Sequence, residues 1–525
     1  RYVPLAVVHR VYERHPAIAA AAAKLPKRST LTPAWEKDDP KRLVDLMETP
    51  WLELSRGRKT SLPIVDLFDT DLVARQKEDA LAKLKAAQNP DGGFPWFAGG
   101  RSDPYITLLV LAGFSETQHY GVEAPAQLVG RAVRYELGEL PRRLKPDQGE
   151  LSLILYAAYV LTSFPEALSA KVPELAGART LVKAWLDYAD VHADAMTQLG
   201  KACAAWAYRR LGEKARSERY LDRAMDGARE EEGVGVYWQP EKLSWLWYND
   251  SVETHAFVLR TLQNLRPKDP RIPGLVQWLV FSRKGTEWKS TKASAAAVFT
   301  LLDFMKARGA LDKGDAFAVD WGSQHESATV GPEDWLATPL RWTRRAGEIG
   351  PDAARVKISK KGPGLAFVSA THVYTTETPA EESAPGLLRV HRLFFKRVKE
   401  GEDYRLKPLK SGEAVRVGDQ VEVQLRIEAK SQFEYMHLKD PKAAGFEAET
   451  LTSGWVWDQL GRYEEPRDSL TNFFVSWLPH GEYVLRYRLR PTVAGRFRIG
   501  AATLQSMYAP EFAANSAGFE LAVEE

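Results

Sequence analysis

The stretch Gln88-Asn-Pro-Asp-Gly-Gly-Phe-Pro-Trp-Phe-Ala-Gly-Gly-Arg-Ser-Asp-Pro-Tyr-Ile-Thr107 contains the most informative pattern in this sequence. Within it, Gly93-Phe-Pro-Trp96 places a glycine three residues before a tryptophan, and Ser102-Asp103-Pro104 has the residue types that begin a helix. The same spacing returns at Gly235-Val-Tyr-Trp238 and Gly285-Thr-Glu-Trp288, each time before a new helical pattern. We interpret these elements as a degenerate repeat in which glycine allows a left-handed helix end and the aromatic residue closes the seam between hairpins. We prefer this packing role to a ligand-binding one.

On both sides of this stretch, from about Asp71 to Gly309, apolar residues recur every three or four positions, which indicates amphipathic helices. The clearest helical segments are 151–164, 180–191, 196–211, 252–265 and 293–305. Asp250-Ser-Val-Glu253 has the spacing of a capping box. The pattern predicts an all-helical domain of hairpins. The less regular N-terminus is placed with this domain, and its Leu25–Asp39 stretch is interpreted as a surface loop.

After about Leu311 the period changes from that of helices to that of strands. Val421, Val423, Leu425 and Ile427 alternate with polar residues, as expected for a strand with one buried face. Further strands are predicted at 356–358, 365–374, 387–395 and 483–489, the last after a turn at His480-Gly481. Several strands of this kind, with turn signals between them, indicate β-sandwiches.

Composition excludes several classes of protein. The 525 residues suffice for several domains, and 44% hydrophobic with 27% charged residues is typical of a globular protein. Because 72 basic residues nearly cancel 69 acidic ones, the net charge of +3 predicts no nucleic-acid partner. The 16 tryptophans are expected to pack in several cores. No apolar stretch reaches the roughly 18 residues that span a bilayer.

A search for catalytic signatures gives no candidate residues. His325-Glu326 lacks the second histidine of a zinc protease, Gly113-Phe-Ser115 lacks the second glycine of a nucleophile elbow, and Gly233-Val-Gly235 lacks the third glycine of a dinucleotide site. His255 is interpreted as a structural histidine, and the acidic pairs Asp38-Asp39 and Asp69-Thr-Asp71 as solvated. We therefore expect no catalytic, cofactor-binding or metal-binding residues, and no enzyme.

Two further features have structural interpretations. The single cysteine, Cys203, has apolar neighbours at helical spacing and is predicted to be a buried thiol. A cluster of basic residues is predicted to be a solvated face of the last domain, with a partner-binding role as the alternative. Its members are Lys396, Arg397, Lys399, Arg405, Lys407 and Lys410.

Several stretches resemble the C-terminal part of bacterial α2-macroglobulins. Gln88–Thr107 is similar to the Gln-x-Pro-Asp-Gly-x-Phe region of their thioester domains. Val252-Glu253-Thr254 and Trp288-Lys-Ser-Thr-Lys292 follow in the order of that family. Val356–Thr375 resembles the return half of a CUB-type domain. Three further stretches, 435–446 with its Asp440-Pro motif, 473–490 and 506–510, resemble the terminal macroglobulin-like domain.

The resemblance implies a multi-domain fold, α then β, in which an α/α toroid of helical hairpins precedes β-sandwich modules. The implied domains are a thioester-type toroid at 1–312, a partial CUB-like module at 313–385 and a C-terminal sandwich at 386–525. The implied function is that of a protease trap, with proteases as partners of the full-length parent. The implied location is periplasmic or extracellular, with any membrane anchoring through a missing N-terminal part.

The sequence departs from the family pattern at its reactive centre. It contains no Cys-x-Glu-Gln thioester motif, although Arg1-Tyr-Val-Pro4 resembles the residues just downstream of that motif in relatives. Any thioester and the bait region are therefore expected upstream. Complement-type members place a histidine after the Gln-x-Pro-Asp-Gly-x-Phe loop, where this chain has Arg101-Ser-Asp-Pro-Tyr105. That difference implies a preference for amines over hydroxyls.

Two alternatives of different classes stay open. One is a thioester-free surface scaffold or adhesion module. The other is a toroid enzyme, because the 88–97 segment also resembles the Gln-x-x-x-Gly-x-Trp repeats of terpene cyclases and the chain has hairpins like those of prenyltransferases. The acidic motif of the cyclases and the zinc site of the prenyltransferases are not found in the sequence.

Overall fold

The computed structural model describes residues 2–24, 70–145, 147–231, 234–238, 251–283, 288, 290–334, 340–368, 370, 380–384, 386–507 and 512–525. The predicted loop at Leu25–Asp39 lies outside these residues, as do Asp69, Asp250 and Gly285. The chain divides into two compact units. The first comprises Arg1–Arg229, Tyr237–Val276 and Thr291–Leu365, and the second comprises Glu230–Val236, Gln277–Ser290 and Ala366–Glu525.

The helices occupy the part of the chain where the three-to-four periodicity predicts them. They are α1 (Tyr2–Arg14), α2 (Pro16–Lys24), α3 (Thr70–Ala87), α4 (Pro104–His119), α5 (Ala126–Glu139), α6 (Gln148–Thr162), α7 (Glu166–Ser169), α8 (Pro173–Val191), α9 (Gln198–Arg210), α10 (Lys214–Met225), α11 (Ser251–Leu265), α12 (Ile272–Phe281) and α13 (Thr291–Arg308).

Five of these helices form an inner ring. α4, α6, α9, α11 and α13 contact one another in succession. The ring closes between α13 and the end of α4, where Asp303 accepts hydrogen bonds from the Tyr120 hydroxyl and from His119 Nε2, both at 2.9 Å. α5, α8 and α10 pack behind α4, α6 and α9 as a second layer. The predicted α/α toroid of hairpins is confirmed.

Side-chain caps explain where the inner helices begin. The Asp103 carboxylate accepts the backbone N–H of Ile106 at 3.1 Å, and Pro104 follows at the first helical position, as the sequence predicts. Asp147 caps α6 through Gly149 N at 2.9 Å, and Thr197 caps α9. Ser152 and Thr197 contact at 3.0 Å where α6 and α9 begin, and Ser115 bonds Ser163 where α4 and α6 end. These inner helices therefore run parallel, and their carboxyl ends meet at the opposite end of the ring.

A three-stranded antiparallel sheet follows the helices. β3 (Asp315–Trp321) lies between β4 (Gln324–Val330) and β5 (Val356–Lys361), which confirms the strand predicted at 356–358. The strand predicted at 365–374 is wrong at 365–368. After β5 the chain turns at Gly362, whose φ is +130°, and Gly364 N bonds the Asp315 carboxylate. Residues 365–368 pair with no strand, and 371–374 lie outside the described residues.

The remaining strands form two short and two long sheets. The strands are β1 (Arg229–Glu231), β2 (Gly235–Tyr237), β6 (Leu388–Glu400), β7 (Asp403–Leu409), β8 (Ala414–Arg416), β9 (Gln420–Ala429), β10 (Phe433–Pro441), β11 (Phe446–Ala448), β12 (Gly454–Val456), β13 (Arg462–Pro466), β14 (Leu470–Leu478), β15 (Gly481–Pro491), β16 (Gly495–Ile499), β17 (Thr503–Ser506), β18 (Ala513–Asn515) and β19 (Phe519–Glu524).

The C-terminal strands confirm the predicted β-sandwich. One sheet has the order β12-β13-β14-β10-β17-β18, the other β11-β15-β9-β6-β7, and their inner faces share one apolar core. β9 differs from its prediction in one respect. Its polar residues Glu422 and Gln424 are also buried; Gln424 Nε2 donates to Glu422 at 2.9 Å, and Arg397 lies 3.8 Å from the same carboxylate. The domain boundaries at 312/313 and 385/386 stay predictions.

An ion pair lies inside the sandwich core. Arg392 on β6 donates to Asp440 on β10 at 2.6 Å, and the two side chains are 1% and 0% exposed. The Tyr487 hydroxyl donates to the second Asp440 oxygen at 2.7 Å, and Arg392 also donates to the Gly500 carbonyl at 2.5 Å. The Asp440-Pro motif noted in the sequence therefore holds a buried arginine that connects both sheets and the C-terminal strands.

The basic cluster is partly paired. Lys396 contacts Asp419 at 2.5 Å, and Arg397 donates to Gln420 at 2.9 Å. Lys399, Lys407 and Lys410 are exposed. This arrangement agrees with a solvated face of the β6–β7 hairpin.

Candidate functional site

The Gln88–Thr107 loop is held by its own polar side chains. Gln88 Nε2 donates to the carbonyls of Gly92 at 2.9 Å and Leu128 at 3.0 Å, which ties the end of α3 to α5. Asn89 Nδ2 donates to the Gly100 carbonyl at 3.0 Å, across the loop. Asp91 accepts the Gly93 N–H at 3.0 Å and the Ser102 hydroxyl at 2.7 Å. These hydrogen bonds thus fix the conformation of the loop that leads into α4.

The aromatic plug of this loop differs from the prediction. Trp96 is the residue predicted to close the seam between hairpins, but it is 57% exposed, whereas Phe94 is 2% exposed. The backbone N–H of Phe94 is fixed by Thr107 Oγ1 at 2.9 Å, and the Pro95–Ser102 bridge holds the residues after it at the surface. At the third repeat the prediction is confirmed, because Trp288 is buried and donates to the Leu279 carbonyl at 2.8 Å.

Replacing Gly92 with alanine is expected to destabilise the helical unit by about 2 kcal/mol or more. Gly92 has φ +96°, and a Cβ there would lie 2.3 Å from the Arg131 carbonyl oxygen. Gly99 is the matched control, because its φ is +78° but a Cβ would meet no atom within 4 Å. G99A should cost about 1 kcal/mol, the backbone penalty alone. Urea unfolding followed by helical circular dichroism measures both; equal losses would contradict the packing role of Gly92.

The structure brings three of the noted sequence stretches together at the amino-terminal end of the inner ring. Lys292, at the start of α13, pairs with Glu253, at the start of α11, at 2.5 Å. The Lys292 ammonium also lies 5.3 Å from the centre of the Tyr105 ring, at the start of α4. Burial alone would lower the pKa of Lys292, but the Glu253 carboxylate and Tyr105 raise it above its ordinary value. The amine is therefore charged and acts as an electrostatic anchor, not as a nucleophile.

Two buried titratable side chains near the ring, those of His255 and Cys203, are held neutral by their surroundings. His255 donates from Nε2 to the Leu275 carbonyl at 2.9 Å, and burial lowers its pKa to about 3, so it stays neutral. Cys203 is fully buried on α9, as predicted, and burial raises the pKa of its thiol.

His325 pairs with Asp320 within the β3–β4 hairpin.

Within the parts of the chain that the structure describes, His, Cys, Asp and Glu side chains form no group of three that could hold a metal ion. Among the described helices, none combines the length and apolarity that crossing a bilayer requires.

The structure defines a multidomain chain in which a helical toroid precedes a β-sandwich. Residues 388–511, which form most of that sandwich, match the family model described as the bacterial α2-macroglobulin MG10 domain. The C-terminal sandwich thus matches the MG10 domain of bacterial α2-macroglobulins, and the predicted resemblance is confirmed.

Comparisons with individual proteins add more distant similarities. Elastase-activated Escherichia coli α2-macroglobulin is 18% identical, with a TM-score of 0.39 over 87% of this chain and 39% of that chain. The trypsin-activated form is 17% identical, with a TM-score of 0.41 over 88% and 30%. Methylamine-reacted Salmonella α2-macroglobulin is 16% identical, with a TM-score of 0.34 over 100% and 31%. The chain therefore spans less than two fifths of each of these proteins.

A curated protein of Dictyostelium discoideum, circularly permutated Ras protein 2, is 26% identical over 161 residues. The match covers 29% of this chain and 4% of that protein.

Proposed function

We propose that this chain is the C-terminal part of an α2-macroglobulin-like protease inhibitor, with the bait region and any Cys-x-Glu-Gln thioester upstream of Arg1. The match of residues 388–511 to the MG10 domain carries the proposal. The Gln88–Thr107 loop and the order of toroid and sandwich support it. Such a protein traps a protease once and is not an enzyme. It would act in the periplasm or outside the cell.

The direction of α1 is consistent with a reactive centre ahead of Arg1. A Cβ on Gly113 would contact Val3 at 2.8 Å, and one on Gly121 would contact Arg14 at 2.6 Å, so α1 runs parallel to α4. Residues before Tyr2 would then approach from the amino-terminal end of α4. That end carries Tyr105, Glu253 and Lys292. A thioester placed there would lie near this fixed ion pair.

Methylamine tests the thioester. The amine adds to the acyl carbon and releases the cysteine thiol, so the full-length parent should gain mass and one titratable thiol. Intact mass spectrometry with thiol titration measures both. An unchanged mass with no new thiol would rule out a covalent trap and favour steric trapping or a scaffold.

Protease inhibition is tested separately on the full-length parent. After incubation with trypsin or elastase, we expect loss of cleavage of a large protein substrate with cleavage of a small peptide retained, because a trapped protease is shielded and not blocked. Methylamine-treated parent is the matched control. Undiminished cleavage of the large substrate would contradict the proposed inhibitor and favour the scaffold alternative.

A further inference from the structure

A polar cavity of about 170 Å³ opens at the carboxyl-terminal ends of the inner helices. α4, α6, α9 and α11 all bring their last turns to it, so it lies at the opposite end of the ring from the Lys292–Glu253 pair. Backbone carbonyls at helix ends carry partial negative charge, and such a site needs cations nearby. Two arginines of the described chain, Arg210 and Arg260, line the cavity.

Arg260 is fully engaged in one wall. Its Nη atoms donate to both Glu116 oxygens at 2.5 and 2.9 Å, and its Nε donates to Asp303 at 2.7 Å. Burial alone would lower the pKa of Arg260, but Glu116 and Asp303 raise it, so the guanidinium stays charged. His119 completes the network through Asp303 at 2.9 Å. Because the Glu116 and Asp303 carboxylates already pair with Arg260, its positive charge is not available to a ligand.

Arg210 is held differently. Its guanidinium carbon lies 4.8 Å from the centre of the Tyr159 ring and 4.5 Å from that of Trp206, which fix its plane. Nη1 donates to the Tyr159 carbonyl at 2.8 Å and caps the end of α6. Among the described residues, no carboxylate forms an ion pair with Arg210, and burial lowers the pKa of its guanidinium.

We propose that Arg210 binds a carboxylate group in this cavity. The aromatic rings fix the guanidinium, one of its nitrogens is used by the helix end, and the remaining N–H groups are left for a planar, singly charged acceptor. A phosphate dianion fits less well because the Glu116 and Asp303 carboxylates share the same cavity and would repel its second charge. The site is independent of the protease-trap proposal, since it uses neither a thioester nor a bait region.

The carboxylate can come from two sources, a small monocarboxylic acid and the C-terminus of a peptide. Saturation-transfer NMR on the 525-residue chain, at constant ionic strength, compares propionate with a short peptide whose C-terminus is free or amidated. We expect a dissociation constant of about 1 mM for at least one carboxylate and no binding of the amidated peptide. Binding of neither probe, or equal binding of the amidated peptide, would overturn the proposal.

Substitutions locate the site. R210M keeps an apolar stem between the rings and removes the charge, so it should weaken binding at least about tenfold. R209M removes the same charge from the same turn of α9 but at an exposed position, and it should change binding less than about twofold. Equal effects of the two substitutions would contradict the assignment.

A measurement on the unaltered protein covers the case in which R210M does not fold. Phenylglyoxal modifies accessible arginines, and peptide mass spectrometry can follow Arg210 and Arg209 in one sample. Propionate should slow modification of Arg210 and leave that of Arg209 unchanged. Equal protection of both, or of neither, would overturn the assignment of Arg210.

Discussion

Replacing Arg392 with methionine is expected to lower the free energy of unfolding of the β-sandwich by about 3–5 kcal/mol. Arg392 and Asp440 are both inside the core, and the substitution leaves the Asp440 carboxylate without its cation. The Gly500 carbonyl also loses its donor. The loss of stability should exceed that of a typical large-to-small core substitution, because burying an unpaired charge costs more free energy than leaving a small cavity.

Hydrogen exchange of the central strand β9 reports this unfolding in the intact chain. R389M is the matched control, because Arg389 is on the same strand as Arg392 but its partner, Glu382, is at the surface; it should leave exchange of β9 unchanged. The double substitution R392M/D440L should recover much of the loss, since both charges are removed together. A double variant no more stable than R392M would show that packing, and not the orphaned charge, is responsible.

Replacing Glu136 with glutamine is expected to stabilise the helical unit at pH 8 by on the order of 5 kcal/mol. Glu136 is 0% exposed on α5, and neither carboxyl oxygen has a hydrogen-bond partner in the described structure. Burial, with a contribution from Asp103, raises its pKa to about 9. The folded protein therefore holds this carboxyl protonated at neutral pH, and a neutral amide of similar shape should fit the same position.

The pH dependence follows from the same group. In the unfolded chain the carboxyl ionises near its ordinary value of 4.5, and in the folded chain near 9. Between these values the folded state binds more protons, so stability falls by about 1.4 kcal/mol per pH unit as pH rises. E136Q should flatten this slope between pH 5 and pH 8 in urea unfolding experiments, whereas E139Q, one turn away near the surface, should keep it. A slope unchanged in E136Q would disprove the assignment.

The larger features of the fold follow from periodicity alone. The helical segments, the Asp103 cap and the strands predicted at 356–358, 387–395 and 483–489 appear where the pattern predicts them, whereas residues 365–368 form no strand. Side-chain placement within loops does not follow, because Phe94 and Trp96 are both suitable plugs and only the Pro95–Ser102 bridge decides between them. Trp455 and Trp457 illustrate the same limit. Core packing is predicted for both, but they stack on each other at the surface, with ring centres 5.4 Å apart.

In the sequence, the buried charged residues are visible only as polar interruptions of an apolar pattern. Arg392 is in phase with Val390 and Phe394, and Asp440 with Leu438, so each charge occupies a core position of its strand. Glu136 similarly interrupts the apolar stripe of α5. The pairing of Lys292 with Glu253 is different, because it depends on how α11 and α13 pack side by side, which the periodicity of neither helix specifies.

The rate at which Cys203 is labelled reports how often the helical unit opens. Cys203 is the only cysteine in the sequence, it is fully buried on α9, and its thiol is held far from ionisation. A thiol reagent can modify it only when the ring opens, so the labelling rate measures how often that happens. Ligands that stabilise the closed ring would slow the labelling of Cys203. In the parent protein, a thiol that labels within the mixing time would have to come from elsewhere in the chain.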